Sequence, residues 1–465
     1  MVEFVCNKII LVHIFVYVRF SITRKVGFHI MAFSIKGIKL PHKKNTAGTP
    51  VERLVTSDTV TFPMVMHIGS PAIPVVKAGD DVCVGTLIAS AGDGISSPIY
   101  SSVSGGVAGI ENICISNGQR VPAIKIDSDG KMTVDENIAP PVITDKQSLV
   151  EAMKNSGVVG LGGAGFPTYA KFDTDKDIST LVVNCAECEP YITSDTYTML
   201  EKTEDIAYAI DVILANTNIQ NAIIGIEKNK RDAIVKMKEL AARNDKITVK
   251  ILPAVYPTGG EKVLVYRTTG KVIKEGMLPA DVGCVVCNCT TLATLGNYFK
   301  TGMPLVEKCI TVDGSAVAEP KNVIVPIGIS INEIIDFCGG FKSEPGKIIY
   351  GGPMMGVAVP SVDEPILKQT NAILAFNQKD SKQRKETACI QCGTCVNNCP
   401  FGINVTEIAR ANAKGEYDRL EKLGVGICME CGCCAYNCPA NRPLVQMNKL
   451  AKASLREWKA KEVKA

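Results

Sequence analysis

Cys389-Ile390-Gln391-Cys392-Gly393-Thr394-Cys395-Val396-Asn397-Asn398-Cys399-Pro400 decides the C-terminal fold, and Cys428-Met429-Glu430-Cys431-Gly432-Cys433-Cys434-Ala435-Tyr436-Asn437-Cys438-Pro439 repeats its pattern. Each is a complete C-x2-C-x2-C-x3-C-P run, the spacing that wraps three thiolates around one face of an iron–sulfur cubane. The fourth cysteine points away and reaches the other cluster. The spacing predicts two [4Fe–4S] clusters with crossed ligands. Cys389, Cys392, Cys395 and Cys438 hold one, and Cys428, Cys431, Cys434 and Cys399 hold the other. Pro400 and Pro439 redirect the chain after the last ligand. A structural zinc site would instead set two C-x2-C pairs farther apart. Cys433 lies between ligands and is expected to be a spectator.

The other cysteines do not form a disulfide framework. Of 19 in the chain, nine fall between Cys389 and Cys438, while Cys185, Cys188, Cys284, Cys287 and Cys289 sit in apolar or glycine-rich stretches. This pattern indicates a reducing compartment and metal ligation. Cys6, Cys83, Cys114, Cys309 and Cys338 are expected to be small buried hydrophobes. A length of 465 residues exceeds one ordinary core and predicts roughly three domains. A hydrophobic fraction of 46% with 21% charged residues is globular, and a net charge of +4 argues against a nucleic-acid partner.

Ahead of the fold, Ile9 to Val18 is an apolar run between Lys8 and Arg19. It is shorter than the roughly 20 residues that cross a bilayer, and no small-residue cleavage site follows. Met31 is expected to open the fold, with residues 1–30 an upstream extension. The functional alternative for that run is contact with a membrane surface.

Residues 31–135 are β-rich. Val75 to Ile88 and Ser97 to Val107 carry apolar residues around glycine turns, like the two halves of a biotinyl/lipoyl-type β-sandwich. The hairpin tip, Ala91-Gly92-Asp93-Gly94, has no lysine to bear a swinging cofactor, so a docking module is expected. Residues 136–145 form a linker. Residues 146–302 then alternate strands and helices: Leu149 to Ser156, Ile206 to Ala215 and Arg231 to Ala242 have helical spacing. Leu181 to Asn184, Ala222 to Ile226, Lys250 to Pro253 and Val282 to Val286 are apolar strands. That alternation predicts a mostly parallel sheet. Residues 303–377 show a β-β-α order ending in Ile331 to Phe337, similar to a ubiquitin-like β-grasp module. Lys379 to Glu386 is a charged linker, 385–450 is the cluster domain, and 451–465 is an amphipathic tail.

Gly160-Leu161-Gly162-Gly163-Ala164-Gly165-Phe166-Pro167-Thr168 lacks the Gly-Lys-Ser/Thr ending of a P-loop and does not follow the long strand of a dinucleotide fingerprint. Its missing side chains would let backbone N–H groups approach a phosphate. Asn184 to Pro190, Tyr256 to Lys262 and Asn288 to Thr291 each follow an expected strand. Polar residues at several strand ends are where an open α/β sheet builds its ligand site.

The loop Gly162 to Thr168, the segment Asn184 to Pro190 and the turn Gly259-Gly260-Glu261 resemble the flavoprotein subunit of respiratory complex I. The twin ferredoxin motifs, the N-terminal sandwich and Gly351-Gly352-Pro353-Met354-Met355-Gly356 make the chain more similar to the RnfC family, over residues 35–450. RnfC is the NADH-facing subunit of ion-translocating ferredoxin:NAD oxidoreductases. The resemblance implies a multidomain α/β chain: a barrel-sandwich hybrid, a Rossmann-like FMN/NADH domain, an SLBB-like β-grasp and a bacterial dicluster ferredoxin domain. It implies FMN held by Gly162, Gly163, Ala164, Gly165, Phe166, Lys171, Asn184 and Asn288, and NAD(H) contacts from Phe166, Glu187, Glu189 and Glu261 beside Gly259. The complex I pattern has acids where Ala186 and Gly260 stand.

The expected activity is interconversion, in either direction, of a two-electron hydride and single electrons, which the clusters exchange with ferredoxin or another redox protein. No side chain need act as a general base, because the cofactor carries the chemistry. Other electron-transport subunits, including membrane subunits, are the expected partners, on the cytoplasmic face of the membrane. The same resemblance extends to cytoplasmic soluble reductases and electron carriers that feed a cobalamin or an amino-acid reductase.

Overall fold

The computed structural model describes residues 35–462 apart from Thr56. The upstream extension, its apolar run and Cys6 lie outside the described residues.

The β-rich region folds as two facing sheets. One has four strands in the order Thr59–Pro63, Arg120–Ser128, Gly105–Cys114, Asp81–Val82, and the other has Ile73–Pro74, Leu87–Ser90, Ile99–Tyr100. Val60, Phe62, Ile124 and Ile126 point inward and alternate with the half-buried Thr59, Thr61 and Lys125 and the exposed Asp127, the alternation expected of a sheet wet on one side. The hairpin tip is docked: the Tyr169 hydroxyl donates to Gly94 O at 3.4 Å. The segment ahead of this sandwich packs elsewhere. Ile38 pairs with Tyr256, and Glu52–Arg53 joins the β-grasp sheet beside Lys321–Pro326.

The α/β region has four parallel strands in the order Ile247–Leu252, Asn221–Glu227, Thr180–Cys185, Cys284–Asn288. Leu181, Val182 and Val183 are fully buried because helices cover both faces. The helix Lys146–Asn155 starts one turn before the expected Leu149, because the Asp145 carboxylate accepts from Ser148 N and closes an extra first turn. Thr203–Asn216 buries Ile206, Ala209, Ile210 and Ile213, its apolar stripe. The last strand begins two residues later than Val282, because Gly283 (φ 69°) closes a short 3-10 turn over Pro279–Val282. One apolar core runs from Phe62 and Ile124 of the sandwich to Leu181 and Ile210 here, so the sandwich and the α/β region pack as one body.

The β-grasp region carries Glu307–Asp313, Lys321–Pro326 and the helix Ile331–Phe337, with Pro345–Tyr350, Val357–Val359 and Ala372–Asn377 completing its sheet. The cluster region is built from short helices around Ile408, Leu420 and Leu444. Its last helix, Leu444–Glu462, runs across the expected boundary at residue 450, and Trp458 stacks on Tyr417 with ring centroids 5.8 Å apart. The expected tail is thus part of the cluster core. Cys309 and Cys338 are buried as expected; Cys83 is half-buried and Cys114 exposed, because Cys114 ends a strand on its wet face.

Candidate flavin and iron–sulfur site

The strand order reverses direction between Thr180–Cys185 and Cys284–Asn288, and a crevice at the carboxyl ends of such strands is where open α/β sheets bind ligands. Asn184 and Asn288 are register partners at that point. Asn288 Oδ1 accepts from Thr290 N at 2.9 Å and Thr291 N at 3.3 Å, capping the helix Cys289–Thr301, while its Nδ2 donates to Asp195 Oδ2 at 2.8 Å. Asn184 Nδ2 donates to Gly259 O at 2.9 Å, and its Oδ1 accepts from Ala186 N at 3.1 Å.

The glycine loop lies across this point. Leu161 N donates to Thr291 Oγ1 at 3.0 Å. A Cβ at Gly162 would stand 2.6 Å from Asn288 Nδ2, whereas one at Gly163 would meet nothing within 4 Å. Gly162 is therefore a packing glycine, and Gly163 faces open space. Gly165 takes φ +73° with its missing side chain against Gln369. Phe166 is half-buried behind the exposed Gly162, Gly163 and Ala164. Lys171 Nζ donates to Val286 O at 2.8 Å and to Glu261 Oε1 at 3.3 Å, so this pair stands at the rim. The crevice thus brings together Gly162 to Phe166, Lys171, Asn184, Gly259, Glu261 and Asn288. An exposed glycine loop beside a capped helix N-terminus is the surface an FMN phosphate fits.

The acids divide. Glu261 stays exposed. Glu187 is buried, its carboxylate accepting from Lys230 Nζ at 2.7 Å, Thr196 Oγ1 at 2.7 Å and Asp195 N at 2.8 Å, with Lys44 Nζ at 3.8 Å. Burial pushes its pKa up, but Lys230 and Lys44 outweigh that and hold it below the usual carboxylate value. Glu189 accepts from Met354 N at 3.1 Å and Met355 N at 2.9 Å, which clamps the Gly351 to Gly356 loop. Burial raises Glu189 to about 7.

The twin motifs line two cavities. Cys389, Cys392, Cys395 and Cys438 face one, and Cys399, Cys428, Cys431 and Cys434 face the other. Each cavity collects the four thiols that the crossed spacing predicts, the donor set of a [4Fe–4S] cluster. Among the described residues no three metal-binding side chains converge tightly enough for a single ion. Cys433 also borders the second cavity, but its thiol reaches toward Tyr256 O at 4.0 Å. The two cavities are placed unequally. The Tyr256 hydroxyl donates to Cys431 O at 2.7 Å, and a Cβ at Gly260 would collide with the Met429 methyl. Ile38, Tyr256, Cys188, Met354, Met429, Cys431 and Cys433 share one apolar cluster. The Cys431 cavity therefore abuts the crevice wall, while Cys392 and Ile390 of the other are exposed.

Four family descriptions match in the same order: RnfC barrel sandwich hybrid domain over 33–131, Nuo51 FMN-binding domain over 153–297, SLBB domain over 309–358 and 4Fe-4S dicluster domain over 381–439. The chain is 40% identical over 385 residues to the C subunit of the proton-translocating ferredoxin:NAD(+) oxidoreductase complex of Clostridium ljungdahlii, covering 82% of this chain and 84% of the relative. It is 38% identical over 425 residues to the C subunit of the Na(+)-translocating complex of Acetobacterium woodii, covering 90% and 96%. The chain belongs to the RnfC family. A third relative, the C subunit of the ion-translocating oxidoreductase complex of Rhodobacter capsulatus, is 37% identical over 446 residues, covering 92% and 85%. The fold of this RnfC-family chain is the expected set of four regions, carrying an FMN-binding domain and a dicluster domain.

Several residues of this RnfC-family site escape a reading by motif. Asp195 orients Asn288 and Thr290, the latter donating to Asp195 Oδ1 at 2.7 Å. Lys308, in the buried β-grasp strand Glu307–Asp313, donates to Leu161 O at 2.8 Å and Lys368 O at 3.1 Å. Lys368 is itself fully buried and donates to Gly157 O at 2.8 Å, to Ser97 Oγ at 3.0 Å and to Pro98 O. Burial lowers both lysines to about 7. The β-grasp and the sandwich thus fix the glycine loop from behind. The available signal for Lys308 was a lysine inside an apolar strand, which burial rarely tolerates without acceptors, whereas Lys368 lies in a turn and carried no such signal.

Proposed function

We propose that this chain carries electrons between NAD(H), FMN and two [4Fe–4S] clusters, as the peripheral nucleotide-facing subunit of an ion-translocating ferredoxin:NAD oxidoreductase complex. The contact that carries the reading is the loop Tyr256 to Gly260. Its Gly259 carbonyl accepts from Asn184 in the crevice, and its Tyr256 hydroxyl holds Cys431. One short loop is wall to both sites.

FMN is held by the loop Gly162 to Phe166, where Gly162 and Gly165 let the loop pack closely and Gly163, Ala164 and Phe166 face the flavin, with Lys171, Asn184 and Asn288 around it. When bound, it supplies the exchange between a hydride pair and single electrons. The chain's own work is positioning. Asp195 and Asn288 keep the helix N-terminus aimed into the crevice, Lys308 holds the loop carbonyl back, and Glu261 with Lys171 leaves polar groups at the mouth for NAD(H). Glu187 and Glu189 shape the floor through their internal partners. Cys399, Cys428, Cys431 and Cys434 would hold the cluster beside the crevice, and Cys389, Cys392, Cys395 and Cys438 the one whose loop is open to a partner such as ferredoxin; such clusters would supply one-electron transfer.

Among the described residues no helix is long and apolar enough to cross a membrane. In this reading the ion path belongs to membrane subunits, and the chain docks on their cytoplasmic face. Anaerobically purified chain should contain FMN and two clusters. Adding NADH should bleach the flavin absorbance and produce the EPR signals of reduced clusters. Flavin that stays oxidised in NADH while dithionite reduces the clusters would reassign the chain as an electron carrier without nucleotide chemistry.

A further inference from the structure

The helix Leu444–Glu462 buries Leu444, Ala451 and Leu455, and among them one polar side chain, Asn448, which is fully buried. Asn448 Nδ2 donates to Cys428 Sγ at 3.4 Å, and its Oδ1 has no partner. An amide buried with its acceptor unpaired costs stability, so packing alone does not account for it. One turn further, Lys452 Nζ donates to Cys428 O at 3.1 Å and Glu430 Oε1 at 2.6 Å, fixing the loop against the helix. Lys452 is ion-paired to Glu430, so the amide is the neutral dipole left pointing at the sulfur. The other cavity differs: there the Thr394 hydroxyl lies 3.3 Å from the exposed Cys392 sulfur.

We propose that Asn448 raises the reduction potential of the cluster held by Cys399, Cys428, Cys431 and Cys434. The proposal rests on the reading that this cavity holds a [4Fe–4S] cluster. Reduction adds one electron and forms or breaks no bond. It makes a buried anionic site more negative, which burial opposes and which lowers the potential. An N–H dipole aimed at a ligand sulfur stabilises the extra charge and offsets that cost. Asn448 thereby keeps the cluster beside the crevice reducible, while the exposed cluster relies on solvent. Asn448 touches a ligand rather than the iron, so it is a tuning residue.

The test is an EPR-monitored redox titration of the full chain holding both clusters. Asn448→Leu, with the same branching but without the N–H, should move one of the two midpoints negative by about 59 mV, a tenfold change in the one-electron equilibrium. The other midpoint should stay. Thr394→Val, beside the other cluster, should leave the Asn448-sensitive midpoint where it is. An unmoved midpoint in Asn448→Leu with iron retained overturns the proposal, as does an equal shift of both. The wild-type chain gives a check without a variant. Labelled with 15N in asparagine side chains, the reduced cluster should show one coupled amide nitrogen by pulsed EPR, and the absence of coupling overturns the proposal. A wild-type chain with no cluster signal removes the cluster reading and the proposal with it; signals with an unmoved midpoint remove only the proposal.

Discussion

The cluster loops and the flavin crevice are built on opposite plans. Each cluster loop takes three ligands from one short stretch and shapes them with its own backbone. Gln391 and Gly393 (φ 56° and 72°) in the first are matched by Glu430 and Gly432 (φ 61° and 80°) in the second. The crevice has no such local shape. It needs Asn288 registered beside Asn184, a glycine loop held from behind by Lys308, and a floor pinned by Lys44 and Lys230. Local spacing specifies the outlet, and long-range buried polar contacts specify the inlet. Damage should therefore be confined in one region and spread in the other.

The largest expected effect sharpens the cluster side. Cys438→Ala, though it lies in the second motif, should remove the same EPR signal as Cys392→Ala and about half of the iron. A spectrum matching Cys434→Ala instead would break the crossed assignment. On the crevice side, Glu187→Ala strands Lys230 and Lys44 in the interior. It should cost about 3–5 kcal/mol in denaturant unfolding of the α/β region, and a loss below about 1 kcal/mol would show that the pair is solvated rather than buried.

The two glycines separate packing from binding. Gly162→Ala collides with the Asn288 side chain and should cost about 1–3 kcal/mol in stability. Gly163→Phe points into open space and should shift stability by less than about 0.5 kcal/mol while abolishing flavin retention, read as absorbance after desalting. Retained flavin would move the phosphate elsewhere.

The smallest effect is a pH dependence. Burial holds the Glu189 carboxyl at about 7, above its usual 4.5. The folded chain keeps a proton that the unfolded chain releases, so stability from this group is present below about 4.5 and is lost as pH rises through about 7. Glu189→Gln, neutral throughout, should gain on wild type in Tm between about pH 5 and about pH 8. A constant difference would contradict the shift.

Much of this contrast is legible in the sequence, for a physical reason. The ligand spacing is local, so the clusters and their crossing follow from sequence distance alone. The four regions follow from hydrophobic periodicity and from family resemblance. Asn184, Asn288 and the glycine loop are recognisable as polar or flexible residues after strands. Their meeting depends on a strand order that periodicity does not encode. The turn Gly259-Gly260-Glu261 is also the start of the helix Glu261–Thr269, which leaves Gly260 extended with no side-chain cap. Glu187 reads as a nucleotide contact because its partners Lys44 and Lys230 are remote in sequence. Asn448 is invisible for the same reason, lying in what reads as the end of the cluster domain.

The central claim is the proposal that, among the described residues, the Cys431 cluster links the flavin crevice to the Cys392 cluster. Cys431→Ser tests it under anaerobic NADH, with dithionite as the control. The account predicts that NADH still bleaches the flavin but no longer reduces the Cys392 cluster, which dithionite reduces as in wild type. NADH reduction of the Cys392 cluster at the wild-type rate would contradict it.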